Sequence, residues 1–283
     1  MSISRRELVA LLGSGTALAA VGSGVGSETV EGGGRICYQL YSSRKYGPLA
    51  STLAMLAAVG YDHVEGGDAL FLDRPALSET EELLSEFGLT MPSAHIGLRM
   101  LESEPDWTVG VCRLLGVQTM YCAWLPPDER PTTAAGYVEF GRRLRAAGRP
   151  LREAGIGFGW HNHGFEFAAV SGGVVPLVAM FDGSPDLEWQ ADIGWIVRGG
   201  ADPFRWIDHF RERLTSVHVK DVAAPGENAA EDGWADVGAG IVRWDTLMPE
   251  LRRAPVRTYV VEHDNPSDDE RFARASLAAM RSF

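Results

Sequence analysis

Several things are scarce in this chain of 283 residues. Cysteine is one: Cys37, Cys112 and Cys122 are too few for a disulfide framework and leave at least one thiol unpaired. Basic charge is another, with 26 Lys+Arg against 38 Asp+Glu and a net charge of −12. Such a surface repels phosphate backbones, so nucleic acid is not an expected partner. The one N-terminal apolar run falls short of the ~20 residues a membrane span requires, and stable insertion is not expected either. No GxSxG, HExxH, P-loop or CxxC pattern occurs, which removes support for those chemistries. What remains is an ordinary globular balance, 45% hydrophobic and 23% charged, with a mean hydropathy of −0.07. Eight Trp, eleven Phe and seven Tyr exclude disorder as the main state.

The chain opens MSISRRELVALLGSGTALAAVGSG. Arg5 and Arg6 precede a mildly apolar run from Leu8 to Val21, diluted by Gly13 and Gly15. Ser-Arg-Arg-Glu-Leu-Val resembles a twin-arginine export signal, and Ala17-Leu18-Ala19 offers a small-x-small cleavage site. The Gly-rich stretch from Gly22 to Gly34 is a poor continuation for a helix. Residues 1–34 are therefore expected to be an export signal and linker, and the protein to be periplasmic or extracellular.

From Arg35 to the C-terminus short β-rich runs alternate with helical patterns. Strands are expected at Ile36–Leu40, Tyr61–Glu65, Met91–Ile96, Val117–Ala123, Ile156–His161, Leu187–Asp192, Leu214–Val219 and Thr258–Glu262. Helices are expected at Pro48–Val59, Leu77–Phe87, Trp107–Leu115, Ala134–Ala154, Val174–Met180, Pro203–Phe210 and Trp244–Leu251. Gly60, Gly88, Gly116 and Gly155 each fall between a helix and a strand, where a left-handed cap belongs. The alternation calls for a parallel sheet with right-handed crossovers. Eight such units in residues 35–283 match a single-domain (β/α)8 TIM barrel, which typically takes ~250 residues. A doubly wound sheet lacks support, because no GxGxxG follows the first strand.

In such a barrel the chemistry sits at the C-terminal strand ends. Strand two ends at Glu65 and strand three carries His95. In strand five the period of two puts Gly157, Gly159 and His161 on the inner face, with Phe158 and Trp160 outside. Strand six ends at Asp192, strand seven carries Ser216, His218 and Lys220 on one face, and strand eight ends at Glu262. Buried carboxylates and imidazoles must be paired or bound to a metal. His161, Asp192, His218 and Glu262, from four consecutive strands, form a candidate site for Mn, Zn, Fe or Co; a ring of buried ion pairs is the bland alternative.

The ordered set GWHNHGFEF, ADIGW, SVHVKD, VGAG and VVEHD resembles the sugar phosphate isomerase/epimerase superfamily, with its xylose isomerase-like barrel. The resemblance runs from Arg35 to the C-terminus. It implies a divalent metal held at the ends of strands five to eight, in the family by Glu, Asp, His and Glu. The last three fall on Asp192, His218 and Glu262, whereas the first falls on His161. It also implies proton abstraction next to a ketone, with Glu262 as proton carrier and His163, Glu166 or His161 opposite it. Lys220 and His95 are candidates for the acid or for gripping substrate oxygens, and Glu65, Trp124 and Trp195 for further substrate contacts. Each has a plainer reading: Glu166 as a salt-bridge partner, His163 as a cap on strand five, Lys220 as a neutraliser of Asp221, the tryptophans as closure of the rim. The expected activity is a metal-dependent sugar isomerase or epimerase on an unphosphorylated sugar or keto-glycoside. The alternatives are a keto-sugar lyase or dehydratase, and a non-catalytic metal-containing sugar-binding barrel. The expected partner is a small-molecule sugar, and a homo-oligomer is left open.

Overall fold

The computed structural model describes residues 33–72 and 74–283. The export signal read around Arg5 and Arg6 lies outside the described residues. Among those described, no helix is long and apolar enough to cross a membrane.

Eight parallel strands close into one barrel: Arg35–Gln39, His63–Gly66, Thr90–Ile96, Thr119–Cys122, Gly157–His161, Glu188–Asp192, Leu214–Val219 and Thr258–Val261. Strand one pairs with strand eight, Ile36 opposite Tyr259, and so completes the ring. Each lies within two residues of its expected position. Gly60, Gly88 and Gly116 stop three helices in the left-handed conformation, as the spacing predicts. The helix expected over Ala134–Ala154 instead breaks at Gly148 into Ala134–Ala147 and Arg149–Glu153. Pro150 has no N–H to continue the ladder, and Gly148 lies against the Phe158 ring, where a Cβ would not fit. Helix Asp269–Met280 was not anticipated, although Asp268 caps it by accepting from the Arg271 amide at 2.9 Å.

Strand five shows how the sequence divides inside from outside. Phe158 and Trp160 are fully buried under the helices, Trp160 meeting Phe140 edge-on at 5.5 Å. On the inner face a Cβ at Gly159 would lie 2.6 Å from the Tyr121 ring and 2.7 Å from the Glu188 carbonyl oxygen. Tyr121 occupies that space itself, its hydroxyl 3.0 Å from Thr215 Oγ1. Gly159→Ala is therefore expected to lower stability by about 1–3 kcal/mol in urea unfolding. Gly110→Ala, in an open helical position, should leave stability unchanged or raised.

Beyond strand seven, Asp221–Val222 pairs antiparallel with Trp234–Ala235. The intervening loop is tied down at Glu231, which accepts from the Ser267 amide at 2.8 Å and Arg271 Nη2 at 2.9 Å. Burial opposes its charge, but the Ser267 hydrogen bonds and Arg271 outweigh this and bring its carboxyl to about 2. A lowered folded value means stability that is complete above the ordinary 4.5 and is lost as pH falls towards 2. Glu231→Gln should cost about 2 kcal/mol at pH 7. That gap from wild type should narrow below pH 4.5 when unfolding is followed by circular dichroism; a gap constant with pH contradicts the assignment.

Candidate active site

Four strand ends converge at the mouth. Asp192 caps the following helix through Oδ1, which accepts from the Trp195 amide at 2.8 Å. Its other oxygen, Oδ2, is fully buried and has no hydrogen-bond partner. Around Oδ2 lie Lys220 Nζ at 3.5 Å, His161 Nε2 at 3.8 Å and His218 Nδ1 at 4.0 Å. His218 Nδ1 is 2.8 Å from Glu262 Oε2, which also accepts from Lys220 Nζ at 3.0 Å. Lys220, one of only two lysines in the chain, donates to Asp264 as well. Ligands around a tetrahedral transition metal stand about 3.4 Å apart. The separations here bracket that value, and Asp192, His218 and Glu262 all offer ligand atoms within 4.8 Å of one another. The residues present fit a divalent ion.

A second polar layer fixes this one from below. Gln190 Oε1 takes His95 Nε2 at 2.7 Å and His161 Nδ1 at 3.0 Å, while its Nε2 donates to Glu65 and Ser216. The amide has only one oxygen for two imidazoles, so each ring presents an N–H to it. His161 is thereby left with a bare Nε2 facing Asp192. Glu65 receives Gln39 at 2.8 Å and His218 Nε2 at 2.6 Å, and Ser93 as well.

The electrostatics follow from this packing. Burial would raise the Glu65 carboxyl, but the His95 and His218 rings hold it well below the usual range. Burial also works against a charged His218, yet Glu262 and Glu65 raise it to about 10. Asp192 is pushed up to about 6 by burial, against the pull of Lys220 and His218. His163 is brought down to about 3 by burial and Lys220, so it is a neutral imidazole, and its Nδ1 has no partner.

The structure thus gathers most of the residues read from the sequence. His95, Trp124, His161, His163, Trp195, Lys220 and Glu262 all line one cavity of about 1070 Å³. Asp192 and His218 lie directly behind its floor, fully buried. Two expected residues point elsewhere. Glu166 is turned outward, accepting from Trp160 Nε1 at 3.0 Å and the His163 amide at 2.9 Å. It shapes the loop after strand five instead of reaching the cavity, and among the described residues no arginine forms an ion pair with it. Glu65 belongs to the supporting layer, away from the cavity wall. Lys220 does not serve Asp221, whose oxygens take the amides of Val222, Gly238, Gly240 and Val242 and the Trp244 indole. The sequence reading missed Gln190, Asp264 and Asp68. Gln190 stands two residues before Asp192, so strand periodicity would have put it on the inner face, whereas Asp264 follows the end of strand eight, where no periodicity applies.

A closed ring of eight parallel strands with alternating helices defines a TIM barrel, and its ionisable groups are massed at the C-terminal mouth. Residues 53–283 match the model of the xylose isomerase-like TIM barrel family, and the chain belongs to that family. No curated protein matches the sequence. Among solved structures it resembles a sugar phosphate isomerase/epimerase from Parabacteroides distasonis, at 20% identity and a TM-score of 0.73. That match covers 90% of this chain and 95% of the other. It also resembles the IolI protein with a bound zinc atom, at 13% identity and a TM-score of 0.69, covering 87% and 96%. A third is the 3-keto-D-glucoside 4-epimerase YcjR from E. coli, at 16% identity and a TM-score of 0.64, covering 88% and 100%. At these identities the likeness establishes the fold alone.

Gln190 offers a test of the layered arrangement. Gln190→Leu is expected to weaken binding of Zn²⁺ or Mn²⁺ about 10–100-fold in chelator competition. Unchanged metal affinity in the folded variant would remove Gln190 as the residue that orients His161.

Proposed function

We propose that this protein is a metal-dependent sugar isomerase or epimerase-type enzyme, acting by proton abstraction next to the ketone of an unphosphorylated sugar or keto-glycoside. The observation that carries the reading is Asp192 Oδ2, a buried carboxylate oxygen with no hydrogen-bond partner, set among Lys220, His161 and His218 and grouped with Glu262 as a ligand set. A structural ion-pair ring would be expected to satisfy it. These four residues would hold the ion, which when bound supplies a Lewis acid for a carbonyl oxygen. Lys220 and His218 keep Glu262 ionised against its burial, and Glu262 lines the cavity as the proton acceptor. Lys220, itself held protonated by Asp264 and Glu262, presents a fixed ammonium to substrate oxygens. His163, neutral and unpartnered at Nδ1, offers a ring nitrogen to a hydroxyl or carbonyl.

The orientation of Glu166, together with the His161 that the resemblance matches to a carboxylate, favours a lyase or dehydratase within the same chemistry. His161 replaces the carboxylate that would face Glu262, and Glu166 is turned away from the cavity. A two-base epimerisation lacks its second carboxylate there, whereas elimination needs one base and an acid. The Arg5–Arg6 leader supports export to the periplasm or beyond, which suits an unphosphorylated substrate.

The protein purified with Mn²⁺ or Zn²⁺ is expected to hold the metal near stoichiometry by elemental analysis, and Asp192→Asn with His218→Ala to lose it. With a 3-keto-glucoside, proton NMR should show metal-dependent solvent-deuterium exchange beside the ketone. Glu262→Gln should slow that exchange at least about 100-fold. Failure of the parent to take up metal, or full exchange in Glu262→Gln, rejects the reading.

A further inference from the structure

The cavity is too large and too apolar on one side for a sugar ring alone. Its volume of about 1070 Å³ lies at the top of the roughly 300–1000 Å³ range that holds drug-sized ligands. The two sides differ in origin and in chemistry. The floor and the wall from strands five to eight carry His161, His163, Lys220, Glu262 and Asp264. The wall that follows strands one and two is mostly apolar, built from Leu40, Leu49, Leu70, Leu72 and Ala76 with Asp68 and Thr80 as its polar members. Leu72 is 70% exposed, and the flat rings of Tyr41 and Trp124 at the rim are 46% and 45% exposed.

The arginines at this rim are already engaged. Arg44 lies 3.7 Å above the Tyr41 ring and donates to the Tyr41 carbonyl at 2.9 Å. Arg130 lies 3.7 Å from the Phe165 ring and donates to the Leu125 carbonyl at 3.0 Å. Sugar hydroxyls pressed against the leucines would give up water without a replacement partner, a net cost. A planar apolar group would gain there, by shedding water from both surfaces and by stacking on exposed rings.

We infer that this wall is a subsite for an aromatic aglycone, so that the substrate is an aryl glycoside whose oxidised sugar sits on the polar floor. The inference rests on the proposed function for the sugar half and extends it to the other half of the cavity. It assigns Leu70 and Leu72 to specificity and leaves the acid–base chemistry to the residues already described.

The test is isothermal titration of the full-length, metal-loaded protein with methyl and phenyl β-D-glucosides, repeated with the galactose and xylose pairs. In at least one series the phenyl glycoside should bind about tenfold or more tightly than the methyl one. In a Leu70→Ser, Leu72→Ser variant that preference should fall to about threefold or less, with methyl glycoside affinity unchanged. Equal binding of both members in every series, no measurable binding of any phenyl glycoside, or an undiminished preference in the variant overturns the subsite. The deuterium-exchange assay separates this from the underlying reading. Exchange on a keto-sugar without any phenyl preference removes the subsite alone. Phenyl preference without exchange supports the subsite and removes the enolisation chemistry.

Discussion

Glu65 is a carboxylate buried below the barrel mouth, and the arrangement above it depends on how that charge is met. Transfer of an unpaired carboxylate to such a place would be prohibitive. Here Gln39, Ser93, Gln190 and His218 all donate to it. His218 is pinned at Nε2 as a result, which aims Nδ1 at Glu262 and towards Asp192. Gln190, drawn to Glu65 by its amide nitrogen, must turn its oxygen to His95 and His161. One buried charge therefore sets the orientation of three imidazoles before any substrate or ion arrives. The same logic explains the positions below: Tyr121 plugs the axis under this layer, and glycine at 159 is what leaves it room.

The barrel was legible because its signals are local and repeated. Glycine after helix, alternation within strand and short loops recur through the chain, and each is decided by backbone sterics that tertiary packing seldom overrides. The inner-face assignment of His161 and His218 was equally legible, since strand period alone fixes it. Glu166 shows the limit. It follows strand five in a short 3-10 turn, where no periodicity says which way a side chain points, and the Trp160 indole took it outward. The apolar wall was hidden for a related reason. Leu40 opens a 3-10 turn after strand one and Leu70 and Leu72 lie on the short helix Asp68–Leu72 after strand two, and each alone looks like ordinary surface or core.

Replacing a carboxylate with His161 changes the charge balance of the mouth more than its shape. Four carboxylates, Glu65, Asp192, Glu262 and Asp264, face Lys220 and His218, both held protonated by those acids, and His95, which Glu65 shifts upward against its burial. Asp192 bears the imbalance, being displaced upward to about 6 with one oxygen unpartnered. A fifth carboxylate at position 161 would sharpen that repulsion at 3.8 Å, the distance at which His161 Nε2 now stands from Asp192. A neutral imidazole keeps a ligand atom there without the added charge. A divalent cation bound at Asp192 would offset two of those charges, and His218 would give up in exchange the Nδ1 proton it now shares with Glu262, a net gain of one positive charge. Under the proposed function, His161 would keep a ligand atom for the ion without adding a second carboxylate base. On the proposed reading, this would leave Glu262 to act against an acid of a different kind instead of a second carboxylate.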